Sequence, residues 1–308
     1  MLGQTEIHVT VHNRVPVLST AGLFIVVVVG SVVRAQQPCS VSPALRIRTA
    51  TNIFSLQQER TLGDIEAEWV ESNYHPVHDM ELAAHLNNVA GRILSQFHSD
   101  QARVRIILID TPEAESFSVA PERIYITRKM ITLLKSDDEL AGLLGHELGH
   151  ILAHQNAIIM SQLFRGILGV NAISDRKDIS ETVTRLFASI DRDRKLLQKS
   201  AQIIERQEAI HQYQADRVAL YTSAAAGFSP QAFVELFDRS AKTNGKAANL
   251  FTDIFAATTS DTRRLREIKK TLKRLPGPCR ELVPASSTEF RAWQAAVTSY
   301  SEFGTHED

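Results

Sequence analysis

The chain has 308 residues and a formal net charge of −1 at pH 7, with 34 lysines and arginines against 35 aspartates and glutamates. This balance argues against nucleic acid as the main partner, because nucleic-acid-binding domains are usually strongly basic. Hydrophobic residues make up 44% of the chain, which is enough to form the core of one large domain or two small ones.

The N-terminal region contains a long apolar segment. Residues 15–33 are uncharged and mostly apolar, and Val33 and Ala35 occupy the −3 and −1 positions of a signal-peptidase site. We therefore predict that residues 1–35 form a secretory signal that is removed on export, with an uncleaved membrane anchor as the alternative. Residues 36–55 have no clear period and are predicted to form a linker.

The two cysteines, Cys39 and Cys279, lie near the two ends of the part that would be exported. An oxidising compartment would permit a disulfide between them, and this bond would close a very long loop. Two free thiols are the alternative that the sequence leaves open.

The first part of the predicted domain combines helices with short strands. Helical periodicity of apolar residues begins at Leu56 and recurs over residues 80–97, where Leu82 and Leu86 share one face. β-Branched residues then predict strands over residues 103–110 and 123–127. We therefore expect a mainly α (α+β) fold in which a small antiparallel or mixed sheet packs on helices.

The next helix carries the most informative motif, the sequence HELGH. Ser136, followed three residues later by Glu139, predicts a capped start for this helix. Residues four apart share a helix face, so His146 and His150 can bind one metal ion. Glu147 lies close enough to act as a general base on a water molecule. The motif therefore predicts one zinc ion and a hydrolytic reaction.

Further helices are predicted towards the C-terminus. Residues 157–170 are mostly apolar but carry Arg165, and they are predicted to pack in the core, with an interfacial surface as the alternative. A long helix ends at Gly227, and Pro230 begins another. A basic helix over residues 262–275 has an apolar stripe, which predicts either a solvated face above the core or contact with an anionic membrane surface. Residues 276–308 are predicted to form a C-terminal helical extension.

Two separated segments together resemble a known protease family. The HtpX-type, BepA-type and CAAX prenyl protease zinc metallopeptidases, which are gluzincins, have a metal helix and a third-ligand helix similar to SDDELAGLLGHELGHILAHQ and HQYQADRVALYTSAAAGFSP. The resemblance covers roughly residues 56–275 and implies a helical metallopeptidase domain with one zinc ion. It assigns His146 and His150 as zinc ligands, Glu147 as the general base, and Asp216 as the carboxylate that orients a ligand histidine.

The third ligand is where the sequence departs from this family. Where the family has a glutamate, this chain has Gln212, whose neutral amide oxygen is a weaker zinc ligand than a carboxylate. Three interpretations remain open: Gln212 binds the ion through its carbonyl oxygen, Glu208 one turn earlier replaces it, or the site is inactive. The family's His-Pro segment near the C-terminus is replaced by Ser260 and Asp261, although Arg266 fits the arginine that follows it.

The resemblance also implies how a substrate would bind. Members of the family hold an extended polypeptide as an added strand beside the active site, and Ile124, Tyr125 and Ile126 match that position. We therefore predict an exported zinc metalloendopeptidase of the bacterial periplasm or cell envelope, soluble or membrane-associated, that acts in protein quality control. The alternative is a catalytically inactive member of the fold that acts as a chaperone or assembly factor.

Overall fold

The computed structural model describes residues 39, 41, 52–97, 103–119, 121–243, 261–284 and 288–300. The predicted signal, residues 1–35, and most of the predicted linker lie outside these residues. All of the described residues belong to one compact unit that begins at residue 37.

Helices form most of the fold, as predicted. They are α1 (Leu56–Asn73), α2 (Met80–Leu94), α3 (Arg128–Leu133), α4 (Asp137–Leu152), α5 (Gln155–Leu163), α6 (Arg176–Arg192), α7 (Arg194–Ala225), α8 (Pro230–Thr243), α9 (Asp261–Arg274), α10 (Gly277–Arg280) and α11 (Thr288–Ser299). A π-helical turn continues α5. Side chains cap several helix starts: Ser55 and Gln58 form a capping box at α1, and Ser136 accepts a hydrogen bond from the Glu139 amide at α4.

A mixed four-stranded sheet lies beside α4. Its strands are β1 (His75–Pro76), β2 (Arg105–Asp110), β3 (Ser116–Val119) and β4 (Arg123–Thr127), in the spatial order β1-β2-β4-β3. Strands β2 and β4 are parallel, whereas β1 pairs antiparallel with β2 and β3 pairs antiparallel with β4. Strand β3 lies in the connection between the two predicted strands and was not predicted.

Helix α4 lies at the centre of the domain, and every residue from Asp138 to Gly149 is buried. It approaches α7 closely because it presents glycines to that helix. A Cβ at Gly149 would lie 2.6 Å from Ala215 Cα, and one at Gly145 would lie 3.1 Å from Ala219 Cα. These contacts show that α4 and α7 run antiparallel, and they fix which residues of α7 face the HELGH motif.

Two predicted apolar surfaces are buried in the domain. The segment 157–170 packs against α1 and α6 through Ile159, Met160 and Phe164, which confirms its predicted place in the core. The apolar stripe of α9 is covered by α7 and α8. The basic helix therefore has no apolar face left to insert into a bilayer.

The C-terminal part of the chain packs on the same domain. Cys39 and Cys279 form a disulfide, which joins a residue ahead of α1 to α10. Helix α11 contributes Phe290 and Trp293 to the main core. The described portion of the predicted extension, residues 276–308, therefore belongs to the packed structure. Within the described residues, no helix has both the length and the apolar character needed to span a bilayer.

Candidate active site

The two histidines of the HELGH motif face each other in the C-terminal half of α4. The Nε2 atoms of His146 and His150 are 2.9 Å apart, and the two rings are nearly perpendicular. Two nitrogens bound to one tetrahedral zinc ion at about 2.0–2.1 Å would be about 3.3 Å apart. A small movement of either ring would therefore let both nitrogens bind the same ion.

The surroundings of both rings favour the metal-binding form. Burial, followed by the neighbouring His146, lowers the pKa of His150 well below its ordinary value, so that ring is neutral near pH 7. His146 Nδ1 lies 3.0 Å from Asp216 Oδ1. Because a carboxylate can only accept, Nδ1 donates and Nε2 keeps its lone pair for a metal. Asp216 therefore occupies the position that the resemblance implies.

Arg264 in α9 holds Asp216 in place. Its Nε lies 2.8 Å from Asp216 Oδ2, and its Nη2 lies 2.6 Å from Oδ1. The same Nη2 is 3.3 Å from His146 Nε2, and the guanidinium lies over the Phe237 ring. Burial by itself would raise the pKa of Asp216, but the Arg264 guanidinium brings it below its ordinary value. Arg266, which was matched to the family's arginine in this helix, is exposed, and Arg264 is the arginine that reaches Asp216.

Gln212 lies where a third ligand is expected. It is one turn before Asp216 on the same face of α7, near the turn of α4 that carries His150. The residue is 3% exposed, and its Oε1 has no hydrogen-bond partner among the described residues. A buried carbonyl oxygen without a donor has electron pairs available for a cation.

Two neighbours of Gln212 also bear on the third ligand. His211 is buried, its Nδ1 has no hydrogen-bond partner within the described part of the chain, and burial lowers its pKa. The Glu208 side chain lies outside the part of the chain that the structure describes. Among the described residues, no group of three His, Cys, Asp or Glu side chains is arranged to hold a metal ion. Gln212 would bind an ion through its amide oxygen, which is a ligand of a different type. It is therefore the candidate for the third ligand within the described part of the chain.

The carboxylate of Glu147 is hydrogen-bonded to the sheet. Ser116 in β3 donates a hydrogen bond from Oγ to Glu147 Oε1 at 2.7 Å, and Ser118 interacts with the same carboxylate. Burial raises the pKa of Glu147, and His146 and Ser116 oppose that rise only in part. A carboxylate with a raised pKa beside two candidate metal ligands is suited to accept a proton from water.

The edge of the described sheet that lies beside α4 is formed by β3. Strand β4 is paired on both sides, with β2 and with β3, and Ile124, Tyr125 and Ile126 are almost completely buried. The prediction that these three residues receive a substrate strand is therefore wrong, because neither side of β4 can accept another strand. Among the described strands, β3 is the edge strand that contacts α4.

Comparison with known proteins identifies the family. The profile of peptidase family M48 matches residues 76–272, a span that runs from the sheet through the HELGH helix into α9. The chain belongs to peptidase family M48. Members of this family are metallopeptidases and are in general zinc-dependent, which agrees with the ligand chemistry of His146 and His150.

Two curated relatives are similar to parts of this M48 peptidase. The mitochondrial metalloendopeptidase OMA1 of Arabidopsis thaliana is 24% identical over 152 residues, which cover 49% of this chain and 28% of that protein. The beta-barrel assembly-enhancing protease of Yersinia pestis is 21% identical over 186 residues, which cover 58% of this chain and 37% of that protein. The chain thus spans about a third of the length of either relative.

Sequence reasoning missed two side chains of the candidate site, Ser116 and Arg264. Ser116 lies in a segment that was assigned to a connection, although the alternation of Ser, Phe, Ser and Val over residues 116–119 is a strand signal. Arg264 lies in a run of basic residues. Its position one turn before Ile268, on the apolar stripe of α9, could have distinguished it from Arg266 as the buried arginine.

Proposed function

We propose that this protein is a zinc-dependent metalloendopeptidase in which His146, His150 and the Gln212 carbonyl oxygen hold the ion. The observation that carries the proposal is the convergence of the two histidine Nε2 atoms beside Glu147. When bound, zinc would supply Lewis acidity, which makes a water molecule easier to deprotonate near neutral pH so that it can attack a peptide carbonyl.

The protein groups around this centre have separate tasks. Glu147 takes a proton from the attacking water and passes it to the leaving amine. Asp216 keeps His146 in the tautomer whose Nε2 is free, and Arg264 keeps Asp216 charged. Because Gln212 is neutral, the site has one negative charge fewer than a site with glutamate. We therefore expect weaker zinc binding than Gln212→Glu would give.

The substrate in this proposal is a polypeptide in extended form. It would pair with β3 through its main chain, which gives affinity with little selection for sequence. Such binding suits misfolded or unassembled proteins, so we propose a role in protein quality control. One relative is named for enhancing beta-barrel assembly, which supports cell-envelope proteins as the substrates.

Export to the bacterial periplasm or cell envelope is part of the proposal. It is supported by the apolar segment over residues 15–33 and by the Cys39–Cys279 disulfide, which an oxidising compartment would maintain. Fractionation of cells that express the full chain, with thiol alkylation before lysis, tests this. Export predicts protein in the envelope fraction with both thiols protected, whereas cytosolic protein with alkylated thiols would contradict it.

We also propose that the basic face of α9 contacts an anionic membrane surface. Its exposed cations are Arg263, Arg266, Lys269, Lys270, Lys273 and Arg274. Because the apolar stripe is buried, the contact would be electrostatic, with about 1 kcal/mol from each cation near the surface. Flotation of the full chain with neutral and anionic vesicles tests this, and Lys269→Glu with Lys273→Glu should remove the anionic preference. Loss of the same preference in Lys177→Glu, on α6, would show a nonspecific charge effect.

Metal content and proteolysis together test the catalytic proposal. The purified full chain should hold about one zinc ion and cleave casein, Glu147→Gln should retain zinc without cleaving, and Gln212→Glu should bind zinc more tightly. Exposed Glu181 provides a matched control, and Glu181→Gln should change neither property.

Three results would lead to different conclusions. Zinc binding without turnover that depends on Glu147 would indicate a non-hydrolytic metal protein. Absence of zinc from the wild-type protein, with zinc and proteolysis both restored by Gln212→Glu, would indicate an inactive member that acts as a chaperone or assembly factor. Zinc binding that survives Gln212→Ala unchanged would remove Gln212 from the ligand set.

A further inference from the structure

Ser116 makes a contact that the HELGH motif does not account for. Its Oγ donates a hydrogen bond to Glu147 Oε1 at 2.7 Å. The alternation of side chains along β3 places Ser116 and Ser118 on one face, towards α4, and Phe117 and Val119 on the other. Phe117 and Val119 are buried, and Phe117 stacks on Tyr125 in the sheet's own core. The packing of this opposite face therefore fixes the direction of the Ser116 hydroxyl.

The hydrogen bond restricts a side chain that is otherwise flexible. Glu147 is 5% exposed, and a glutamate has several rotatable bonds whose rotamers must be restricted before it can act as a base in one geometry. Ser116 engages Oε1, and Ser118 adds a second hydrogen bond to the same carboxylate. A hydrogen bond to a charged acceptor is stronger than one between neutral groups, so it holds the carboxylate effectively.

The main-chain N–H and C=O groups of Ser116 point away from β4, towards the outer edge of the described sheet. The amide of Thr127 donates to the carbonyl of Glu115 at 3.0 Å, so these residues form a hydrogen-bonded position of the β3–β4 ladder. Hydrogen-bonded and non-hydrogen-bonded positions alternate in an antiparallel pair. Ser116, opposite Ile126, therefore occupies a position whose backbone groups point away from β4.

We propose that Ser116 is a positioning residue that joins substrate binding to the general base. Its main chain lies on the edge where an extended substrate would pair, and its hydroxyl fixes Glu147. A peptide that pairs with β3 would thus hold its scissile bond in a set relation to the Glu147 carboxylate, because Ser116 touches both. This inference rests on the proposed peptidase function and adds a residue that the metal-binding motif does not contain.

Substitutions of Ser116 in the full chain test the proposal. Ser116→Ala should lower kcat on a quenched fluorescent peptide by about tenfold or more, as expected for loss of a hydrogen bond to a charged group, while KM changes less than about threefold. Ser116→Thr keeps the hydroxyl and should restore most of kcat. Ser116→Val has the shape of threonine without the hydroxyl and should resemble Ser116→Ala. Ser189→Ala, on the surface of α6, is the matched control and should behave as wild type.

Zinc content and melting temperature distinguish positioning from a general structural effect. Both should stay at wild-type values in Ser116→Ala. If that variant is destabilised, the comparison of Ser116→Thr with Ser116→Val still tests the role of the hydroxyl, because the two introduced side chains differ in the hydroxyl and not in shape. Equal kcat for Ser116→Thr and Ser116→Val would overturn the proposal.

Failure of this inference and failure of the peptidase proposal give different results. If wild type cleaves, Glu147→Gln does not, and Ser116→Ala keeps its kcat within about twofold, then the function stands and the Ser116 role is wrong. If wild type shows no cleavage that depends on Glu147, the peptidase proposal itself fails.

Discussion

A buried glutamate far from the HELGH motif in sequence should make the protein less stable as pH rises. Glu66 in α1 is 5% exposed, and its Oε1 accepts a hydrogen bond from Asn156 at 3.3 Å. Its Oε2 has no hydrogen-bond partner among the residues that the structure describes. Burial raises the pKa of Glu66 to about 8, although Asn156 and Arg123 oppose the rise. The carboxyl group is therefore mostly neutral at pH 7 in the folded protein, whereas it is ionised in the unfolded chain.

The sign and size of the effect follow from proton linkage. The folded state binds the Glu66 proton more tightly than the unfolded state, so its contribution to stability is fully present below pH 4.5 and is lost as pH rises towards 8. A pKa raised from 4.5 to about 8 removes about 3 kcal/mol of unfolding free energy between pH 5 and pH 8.

Replacing the ionisable group isolates this contribution. Glu66→Gln keeps the shape and the neutral polarity at every pH, so its advantage over wild type should grow by about 3 kcal/mol between pH 5 and pH 8. Urea unfolding at several pH values measures this difference, and Glu81→Gln, at an exposed position on α2, is the control. A difference between Glu66→Gln and wild type that stays constant within about 1 kcal/mol across this range would refute the reasoning.

Two further predictions concern the packing of α4 and the buried ion pair. Gly149→Ala should destabilise the protein by about 1–3 kcal/mol, because its Cβ would lie 2.6 Å from Ala215 Cα. In α2, the new Cβ of Gly91→Ala would have no described atom within 4 Å, so this variant should instead stabilise the protein by about 0.5–1 kcal/mol. Thermal unfolding that ranks the two variants the other way would contradict this packing. Arg264→Gln should lower the unfolding free energy by about 3 kcal/mol, because it leaves a buried carboxylate without its cation. It should also weaken zinc binding in a competition titration, and an equal effect of exposed Arg266→Gln would show that the ion pair is not responsible.

Features that depend on neighbouring residues could be predicted from the sequence. The start of α1 and the bounds of β4 match the predictions, and Ser136 caps α4 as its spacing with Glu139 indicates. These features depend on capping, apolar period and β-branching, which involve residues only a few positions apart. The histidine pair is of the same kind, because one turn of helix brings His146 and His150 together.

Features that depend on residues far apart in the chain were decided by the tertiary structure. The register of α9 on α7 makes Arg264, and not Arg266, the partner of Asp216. The pairing of β4 on both sides leaves the free edge to β3, and the same pairing brings Ser116 to Glu147. A sequence pattern shows which face of an element is apolar but not which neighbour covers it, since that choice depends on the packing of the whole core. The sequence by itself therefore indicated the candidate metal-binding pair and its candidate base, whereas the groups that orient them were determined only when α4, α7, α9 and the sheet came together.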